Sequence, residues 1–226
     1  MLQKSTNRPI PWPKIQKLDA LVDGSNEKVE VPLKENYYME DMAYLDTDEA
    51  YPLFEKQARI IKDCEYKKIL DVGCRHGPVN KILHMNLKYT DYLYFGFDTS
   101  EEPINVANET WKDYDNIQYR QQSWEERIDP GFIPDVIIFS GVLLYIKDDQ
   151  ERWDFFDEFM FYQQCSNAII QEPYHFQRHW DDRLILNTIT KKGLNFLYQD
   201  YNVDEHYLDL PIFAGKRVLY HVTAKP

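Results

Sequence analysis

The stretch Ile69–Pro78 constrains the fold more than any other part of this sequence. A short apolar run reaches Asp71 and then enters a turn that contains Gly73 and Gly77. Glycines in such a turn let the backbone approach a ligand closely or take a positive φ. Pro78 suits the first turn of a helix, where its missing N–H is not needed. The pattern predicts a strand that delivers a ligand-binding loop to the carboxyl edge of a parallel sheet.

Length and composition limit the classes of protein that this chain can belong to. The 226 residues suffice for one sizeable α/β domain, and a hydrophobic content of 43% is typical of a folded globular protein. A net charge of −12 repels phosphate backbones, so we expect no nucleic-acid partner. The three cysteines, Cys64, Cys74 and Cys165, are widely spaced and form no C-x-x-C pair. This argues against a disulfide framework and a zinc site, so we expect no metal.

Two features bear on the compartment in which the chain works. The segment Met1–Lys17 lacks the apolar core of a signal peptide. No stretch approaches the roughly 18 apolar residues of a membrane span. We expect a cytoplasmic protein without a membrane partner.

The amino-terminal part differs in composition from the rest of the chain. Prolines at alternating positions do not fit a helix or a central strand, so residues 1–34 are predicted to be an extended arm. Residues 35–226 then form a single domain, of which 35–66 is a helical lid or cap. Within it, Tyr51, Phe54, Ala58 and Ile61 make an apolar helical stripe. The aromatic segment around Tyr38 is either a helix face packed on the core or a lid over the ligand site.

From Lys68 onward, apolar runs typical of strands alternate with segments typical of helices. The predicted helices are Pro78 to about Leu87, a Ser100-capped helix to about Trp111, and Asp149 to about Gln163. The predicted strands are Lys68–Val72, Tyr92–Phe97, Ile117–Gln121, Pro134–Phe139 and Ala168–Ile170. Such alternation predicts a parallel sheet with right-handed crossovers.

The carboxyl-terminal part breaks this alternation. A helix is predicted around Asp181–Lys191, followed by two strand-like runs, Leu194–Tyr198 and Arg217–Val222, with no helix between them. An antiparallel pair that closes one edge of the sheet is the simplest arrangement. The predicted fold class is therefore α/β, a Rossmann-like three-layer α/β/α sandwich. Its sheet is mostly parallel and seven-stranded, with an antiparallel C-terminal hairpin.

Two common ligand-binding loops are excluded at residues 73–78. A dinucleotide fingerprint needs G-x-G-x-x-G, but Arg75 and Pro78 occupy the second and third glycine positions. A P-loop needs a Gly-Lys-Ser/Thr sequence, and none follows. The loop therefore belongs to another ligand, or it is a tight turn without one.

Several motifs in order resemble those of class I S-adenosylmethionine (SAM)-dependent methyltransferases. Asp71–Gly77 is similar to the first motif, D-x-G-C-G-x-G, with Arg75 in place of the middle glycine. Phe95–Ile104 is similar to the second motif and Ile137–Ile146 to the fourth, while Ile169–Pro173 is similar to the fifth strand and its exit. The resemblance covers roughly residues 50–223. It implies the fold predicted above, SAM as the cofactor and methyl transfer as the reaction.

The resemblance also implies a set of cofactor-binding residues. Asp98, at the end of the second strand, would accept hydrogen bonds from the ribose hydroxyls, unless it only caps the following helix. Ser123 takes the position where the family often carries an acidic residue that reads adenine. Arg75 would approach the ligand carboxylate or point to solvent. The full predicted set is Tyr38, Asp71, Gly73, Cys74, Arg75, Gly77, Asp98, Thr99, Ser123, Trp124, Ser140 and Gly141.

The reaction and its acceptor are less constrained. Methyl transfer is an in-line displacement that depends on alignment and needs a base only when the nucleophile arrives protonated. Candidates by position are Tyr145, Glu172 and His175. The Asp/Asn-Pro-Pro run of base methylases and the acidic cluster of metal-dependent catechol-type enzymes are absent. A small metabolite or a modest peptide-like acceptor remains, and we expect a small molecule. The alternative is a SAM-binding protein that does not transfer methyl, either a non-catalytic subunit or a SAM-cleaving enzyme.

Overall fold

A computed structural model of the chain describes residues 50–143, 146, 149–173, 179–180, 183–184, 200–210 and 215–225. Five strands in the first part of this region follow the predicted order. They are β1 (Lys68–Val72), β2 (Leu93–Asp98), β3 (Ile117–Gln121), β4 (Val136–Ser140) and β5 (Asn167–Pro173). The later strands are β6 (His179–Trp180), β7 (Arg183–Leu184), β8 (Tyr201–Leu210) and β9 (Gly215–Ala224).

Four α-helices lie in the described part of the chain, one before β1 and three between strands. They are α1 (Tyr51–Asp63), α2 (Pro78–Lys81), α3 (Glu101–Trp111) and α4 (Asp149–Tyr162). The single turn of α2 continues as a π-helix, Ile82–Asn86, so the predicted helix from Pro78 changes its hydrogen-bonding pattern after one turn. Helix α1 begins with a proline in its first turn, where no N–H is required.

Seven of the described strands form one sheet in the order β3-β2-β1-β4-β5-β9-β8, and β6 and β7 form a separate two-stranded sheet. The first five strands are parallel to one another, whereas β9 runs antiparallel to β5 and to β8. The chain therefore folds as the predicted seven-stranded, mostly parallel α/β sandwich with an antiparallel C-terminal hairpin. The sheet order reverses beside β1, between β1 and β4, which is where open parallel sheets of this kind bind ligands.

Each face of the sheet is covered by its own apolar core. Phe97, Phe139 and Phe156 belong to the core on the α4 side, while Ile61, Ile138 and Trp111 belong to the core beneath α1 and α3. Residues that alternate along β1 and β4 enter opposite cores, as expected for strands buried on both faces. The central strands are thereby held rigidly, and their carboxyl ends are fixed relative to one another.

Three details differ from the sequence predictions. Ser100 is the N-cap residue of α3, but its side chain makes no capping hydrogen bond. Arg183–Leu184 is a short strand that pairs with His179–Trp180. The prediction of a helix around Asp181–Lys191 is therefore wrong at Arg183 and Leu184. The first strand of the final hairpin is Tyr201–Leu210 rather than Leu194–Tyr198, and the latter range lies outside the described residues.

Candidate active site

The loop between β1 and α2 alternates between left-handed and other backbone conformations. Gly73, Arg75 and Gly77 have φ values of 69°, 54° and 79°. Arg75 therefore adopts a conformation that glycine occupies without a steric penalty, which explains how the chain keeps the loop shape without the middle glycine.

Most backbone N–H groups of this loop are already used within the protein. Those of Gly73 and Cys74 both donate to the carbonyl of Phe97, at 2.9 and 3.0 Å. The N–H of Arg75 donates to Asp98 Oδ2 at 3.0 Å, and that of Gly77 donates to the carbonyl of Cys74 at 2.9 Å. A phosphate would need these donors, so the loop is unsuited to holding a dinucleotide pyrophosphate through them.

The two glycines of the loop lie where a side chain would not fit. A Cβ built on Gly73 would stand 2.6 Å from Cγ2 of Val142, and one built on Gly77 would overlap the ring and hydroxyl of Tyr119. The buried thiol of Cys74 is also directed inward, and burial raises its pKa well above the ordinary value. Cys74 is therefore a packing residue beneath the loop and a poor nucleophile.

Asp71 is a buried carboxylate at the end of β1. Its Oδ2 accepts a hydrogen bond from the hydroxyl of Tyr94, whereas its Oδ1 is buried without a hydrogen-bond partner in the described chain. Burial raises the pKa of this carboxyl to about 7, against the opposing effect of the Tyr94 hydrogen bond. The end of β1 thus presents an acceptor atom that a cationic ligand group would satisfy.

A layer of polar aromatic residues supports the loop from below. The amide of Asn80 donates to Tyr119 Oη at 2.9 Å, and the hydroxyl of Tyr92 donates to Asn80 Oδ1. The rings of Tyr94 and Tyr119 lie with centroids 5.5 Å apart. These residues join β2 and β3 to α2, and they fix the height of the loop above the sheet.

Asp98 ends β2, as predicted, and is 2% exposed. Its Oδ2 accepts from the N–H of Arg75 and its Oδ1 accepts from the N–H of Ser100, each at 3.0 Å. Burial raises its pKa, opposed by these two backbone hydrogen bonds. Asp98 therefore joins the loop to the start of α3, and each of its oxygens keeps a further lone pair for a ligand hydroxyl.

The side chain of Arg75 is buried, with 6% exposure. Of the two orientations considered from sequence, the one toward solvent is therefore wrong. Its burial beside the loop is compatible with a role at the ligand site.

The segment after β3 contains the residues predicted to face adenine. Ser123 Oγ accepts from the N–H of Glu125 at 3.2 Å, and the ring of Trp124 packs against Phe155 with centroids 5.6 Å apart. The carbonyl of Thr99 accepts a hydrogen bond from the side chain of Gln121 at 3.2 Å. These contacts give the segment a defined position next to Asp98.

The segment after β4 is held from two sides. The N–H of Gly141 donates to the carbonyl of Gln171 at 2.8 Å, which ties it to β5. On the other side the buried Arg152 of α4 donates from Nε to the carbonyl of Leu143 at 3.0 Å and from Nη2 to that of Ile146. Arg152 is 2% exposed, so this buried guanidinium determines the path of the loop.

The predicted residues on the acceptor side are described only in part. Glu172 lies in β5, with its backbone opposite Val218 of β9. Tyr38, Tyr145 and His175 lie outside the described residues, as do the arm 1–34 and the lid residues 35–49. Within the described chain, the remaining predicted cofactor residues are all located at or near the carboxyl ends of β1 to β4.

Several residues of the site were missed from sequence. Gln57 of α1 is fully buried and donates to Ser140 Oγ at 3.1 Å, and Arg152 holds the segment after β4. A signal existed for Gln57, because it lies three residues after Phe54 on an otherwise apolar helical stripe. Asn80 gave no comparable signal, because its partners Tyr92 and Tyr119 lie 12 and 39 residues away in the sequence.

Within the described residues, no group of three or more His, Cys, Asp or Glu side chains is placed to hold a metal ion. In the same part of the chain, no helix has the length and apolar character needed to cross a membrane.

Known proteins that resemble this chain share its seven-stranded α/β fold. Residues 45–154 match the family model of a methyltransferase domain. Comparison of the sequence with curated proteins gives no significant match. Many solved structures share the fold, among them the methyltransferase domain of bacterial CtHen1. That domain has 16% identity and a TM-score of 0.61, with 79% of this chain and 100% of that chain covered.

Two further similar structures contain SAM or its product. The magnesium protoporphyrin IX methyltransferase ChlM of Synechocystis PCC 6803, with bound SAM, has 13% identity and a TM-score of 0.60. The match covers 92% of this chain and 90% of that one. The N-methyltransferase NodS of Bradyrhizobium japonicum WM9, in complex with S-adenosyl-L-homocysteine (SAH), also has 13% identity and a TM-score of 0.60. This match covers 85% of this chain and 100% of the NodS chain.

Proposed function

We propose that this chain, in which residues 45–154 match the family model of a methyltransferase domain, is a SAM-dependent methyltransferase of the class I, Rossmann-like fold. In this proposal it transfers a methyl group to a small-molecule acceptor by in-line displacement. When bound, SAM supplies an electrophilic methyl group on a sulfonium. The chain itself supplies the loop Gly73–Gly77 and the carboxylates of Asp71 and Asp98.

The observation that carries this proposal is the unpaired, buried Oδ1 of Asp71 beside a loop whose N–H groups are mostly used. A buried acceptor without a partner costs about 1–3 kcal/mol, which a ligand donor would recover. The ammonium group at the methionine end of SAM is such a donor, whereas a phosphate would be repelled by the carboxylate. The residues present therefore fit the cofactor that the family uses.

The remaining predicted residues divide between the two ends of the ligand. Asp98 would accept from the ribose hydroxyls through its free lone pairs, and Ser123 with Trp124 would contact the adenine. Arg75, Cys74, Thr99, Gly141 and Tyr38 complete the proposed cofactor shell. On the acceptor side, Tyr145, Glu172 and His175 are candidates to orient the nucleophile or take its proton.

Isothermal titration calorimetry with SAM and with SAH tests the cofactor assignment directly. We expect saturable heat with both ligands, and no heat with either would overturn the proposal. Product analysis over a panel of amines, hydroxy acids and thiols then tests transfer. The accumulation of methylthioadenosine without any acceptor would instead favour the SAM-cleaving alternative.

A further inference from the structure

Three polar side chains form a hydrogen-bonded chain across the carboxyl ends of β4 and β5. Gln57 Nε2 on α1 donates to Ser140 Oγ at 3.1 Å, and that hydroxyl donates to Gln171 Oε1 at 3.1 Å. We call these three residues the glutamine relay. Ser140 and Gln171 are opposite one another in the register of β4 and β5, so the relay is built on two rigid central strands.

Both ends of the relay are buried and unsatisfied. Gln57 is fully buried and Gln171 is 3% exposed, yet Gln57 Oε1 and Gln171 Nε2 have no hydrogen-bond partner in the described chain. Native proteins pair nearly all such groups, so two orphans on one connected chain require an explanation. Ser140, between them, is half-buried and reaches the edge where ligands bind to sheets of this type.

The polarity of the relay can be reversed without losing a bond. If both amides are turned over, Gln171 donates to Ser140, and the hydroxyl of Ser140 donates to Gln57. In either state one donor and one acceptor remain unpaired, at opposite ends. The relay therefore always presents one of each, whichever way its amides point.

The relay also carries no charge. No ion pair and no charged hydrogen-bond partner involves these three side chains within the described part of the molecule. Burying a charged group against neutral amides would leave its charge uncompensated, which is costly. A neutral group that both donates and accepts would satisfy either end, whichever way the amides point.

We infer that the glutamine relay binds a neutral donor–acceptor group, of the carboxamide or alcohol class, on the methyl acceptor. This inference rests on the proposed function, because it takes the edge along β5, beyond the predicted cofactor residue Ser140, as the acceptor side of the site. Gln57 and Gln171 are then specificity-determining residues. They select against anionic and cationic acceptors in favour of neutral polar ones.

Three probes that share a phenyl ring and differ only in the polar group provide the test. Benzamide, benzoate and benzylamine are titrated into the SAH-saturated full chain, and the side-chain amide NMR resonances of isotopically labelled glutamines are followed. The Gln57→Met and Gln171→Met variants assign the two resonances. We expect benzamide to shift both resonances saturably, and the two charged probes to shift neither.

The variants then separate recognition from packing. Gln57→Met and Gln171→Met should each weaken benzamide binding about fivefold, as expected for one hydrogen bond, with the SAH affinity unchanged. Gln163→Met is the matched control, since Gln163 donates to the carbonyl of Ile128 far from this edge. Gln57→Leu or Gln171→Leu, which also removes the amide atoms of the relay, replaces the corresponding methionine variant if that variant does not fold.

Tighter binding of benzoate or benzylamine, no response to benzamide, or equal benzamide affinity in wild type and relay variants would each overturn the inference. The titrations are repeated on the ligand-free chain. If SAH itself fails to bind, the cofactor proposal is wrong, and the probe titrations still decide the relay separately.

Discussion

Gly77 lies directly against the hydroxyl of Tyr119, so closely that a Cβ at Gly77 would overlap the tyrosine side chain. Tyr119 is itself fixed by the hydrogen bond from Asn80 at 2.9 Å. The loop therefore rests on a tyrosine that has little freedom to move away. Because of this contact, a single methyl group added at Gly77 would force the loop further from the sheet.

Gly77→Ala should destabilise the protein by roughly 2–5 kcal/mol, through the left-handed backbone and the clash together. It should also weaken SAH binding, because the loop must lift. Gly131→Ala is a matched control, since Gly131 has a φ of 77° but a Cβ added there would meet no atom within 4 Å. That variant should lose only about 1–2 kcal/mol. If urea unfolding showed the same loss of stability in Gly77→Ala and Gly131→Ala, the contact with Tyr119 could not be the cause of the loss in Gly77→Ala.

Asp71 should make the ligand-free protein less stable as the pH rises. Its pKa is raised from 3.8 to about 7 in the native state, so the native protein retains a proton that the unfolded chain has lost. Unfolding then releases a proton, and stability falls across this window by up to about 1.4 kcal/mol per pH unit before levelling above it.

Asp71→Asn removes this ionisation and tests the assignment. The variant should gain stability relative to wild type as the pH rises toward about 7, while its SAH affinity falls by roughly tenfold through loss of a charge-assisted bond. Urea unfolding over a pH series and calorimetry with SAH measure the two effects. A constant stability difference at all pH values would show that the pKa of Asp71 is not raised in the native state.

Asp98→Ala should weaken SAM binding by roughly one to two orders of magnitude, the loss of charge-assisted hydrogen bonds. The variant also loses the two backbone contacts of Asp98, so its stability will fall. Asp135→Ala controls for this, because Asp135 Oδ2 accepts the N–H groups of Lys67 and Lys68, at 2.8 and 3.0 Å, near the opposite end of the sheet. Calorimetry should show unchanged SAM affinity in the control. Unchanged affinity in Asp98→Ala would refute the ribose assignment.

Arg152→Lys should lower stability by about 1–3 kcal/mol, because lysine cannot reach both carbonyls that the guanidinium holds. Arg59→Lys is the exposed comparison, since Arg59 pairs with Glu55 on the surface of α1 and should change stability little. Thermal unfolding of both variants gives the comparison. A change for Arg152→Lys as small as that for Arg59→Lys would show that the buried hydrogen bonds contribute nothing net.

The sequence predicted the fold where burial leaves a strong pattern. Strands such as β1 and β4 are buried on both faces, so they read as continuous apolar runs. Strand β8 was misplaced because it is an edge strand whose exposed positions include Asn202 and Asp204. Polar residues at such positions look like a loop when only the sequence is available.

The site residues that could be predicted are those whose positions are fixed by the ends of strands and by turns. The positions of Gly73, Gly77 and Asp98 follow from strand ends and turn chemistry, which local sequence encodes. The roles of Gln57 and Tyr119 depend on partners 83 and 39 residues away, as their hydrogen bonds to Ser140 and Asn80 show. Such contacts are made by tertiary packing, and no local pattern specifies them.

The hydrogen bonds that consume the N–H groups of Gly73, Cys74, Arg75 and Gly77 have a kinetic consequence. They order the loop when the chain folds, so its conformational entropy is lost before any ligand arrives. Association at this part of the site then needs no ordering of the loop, so loop ordering should not slow it. We expect discrimination between SAM and SAH at the loop to lie mainly in their dissociation rates.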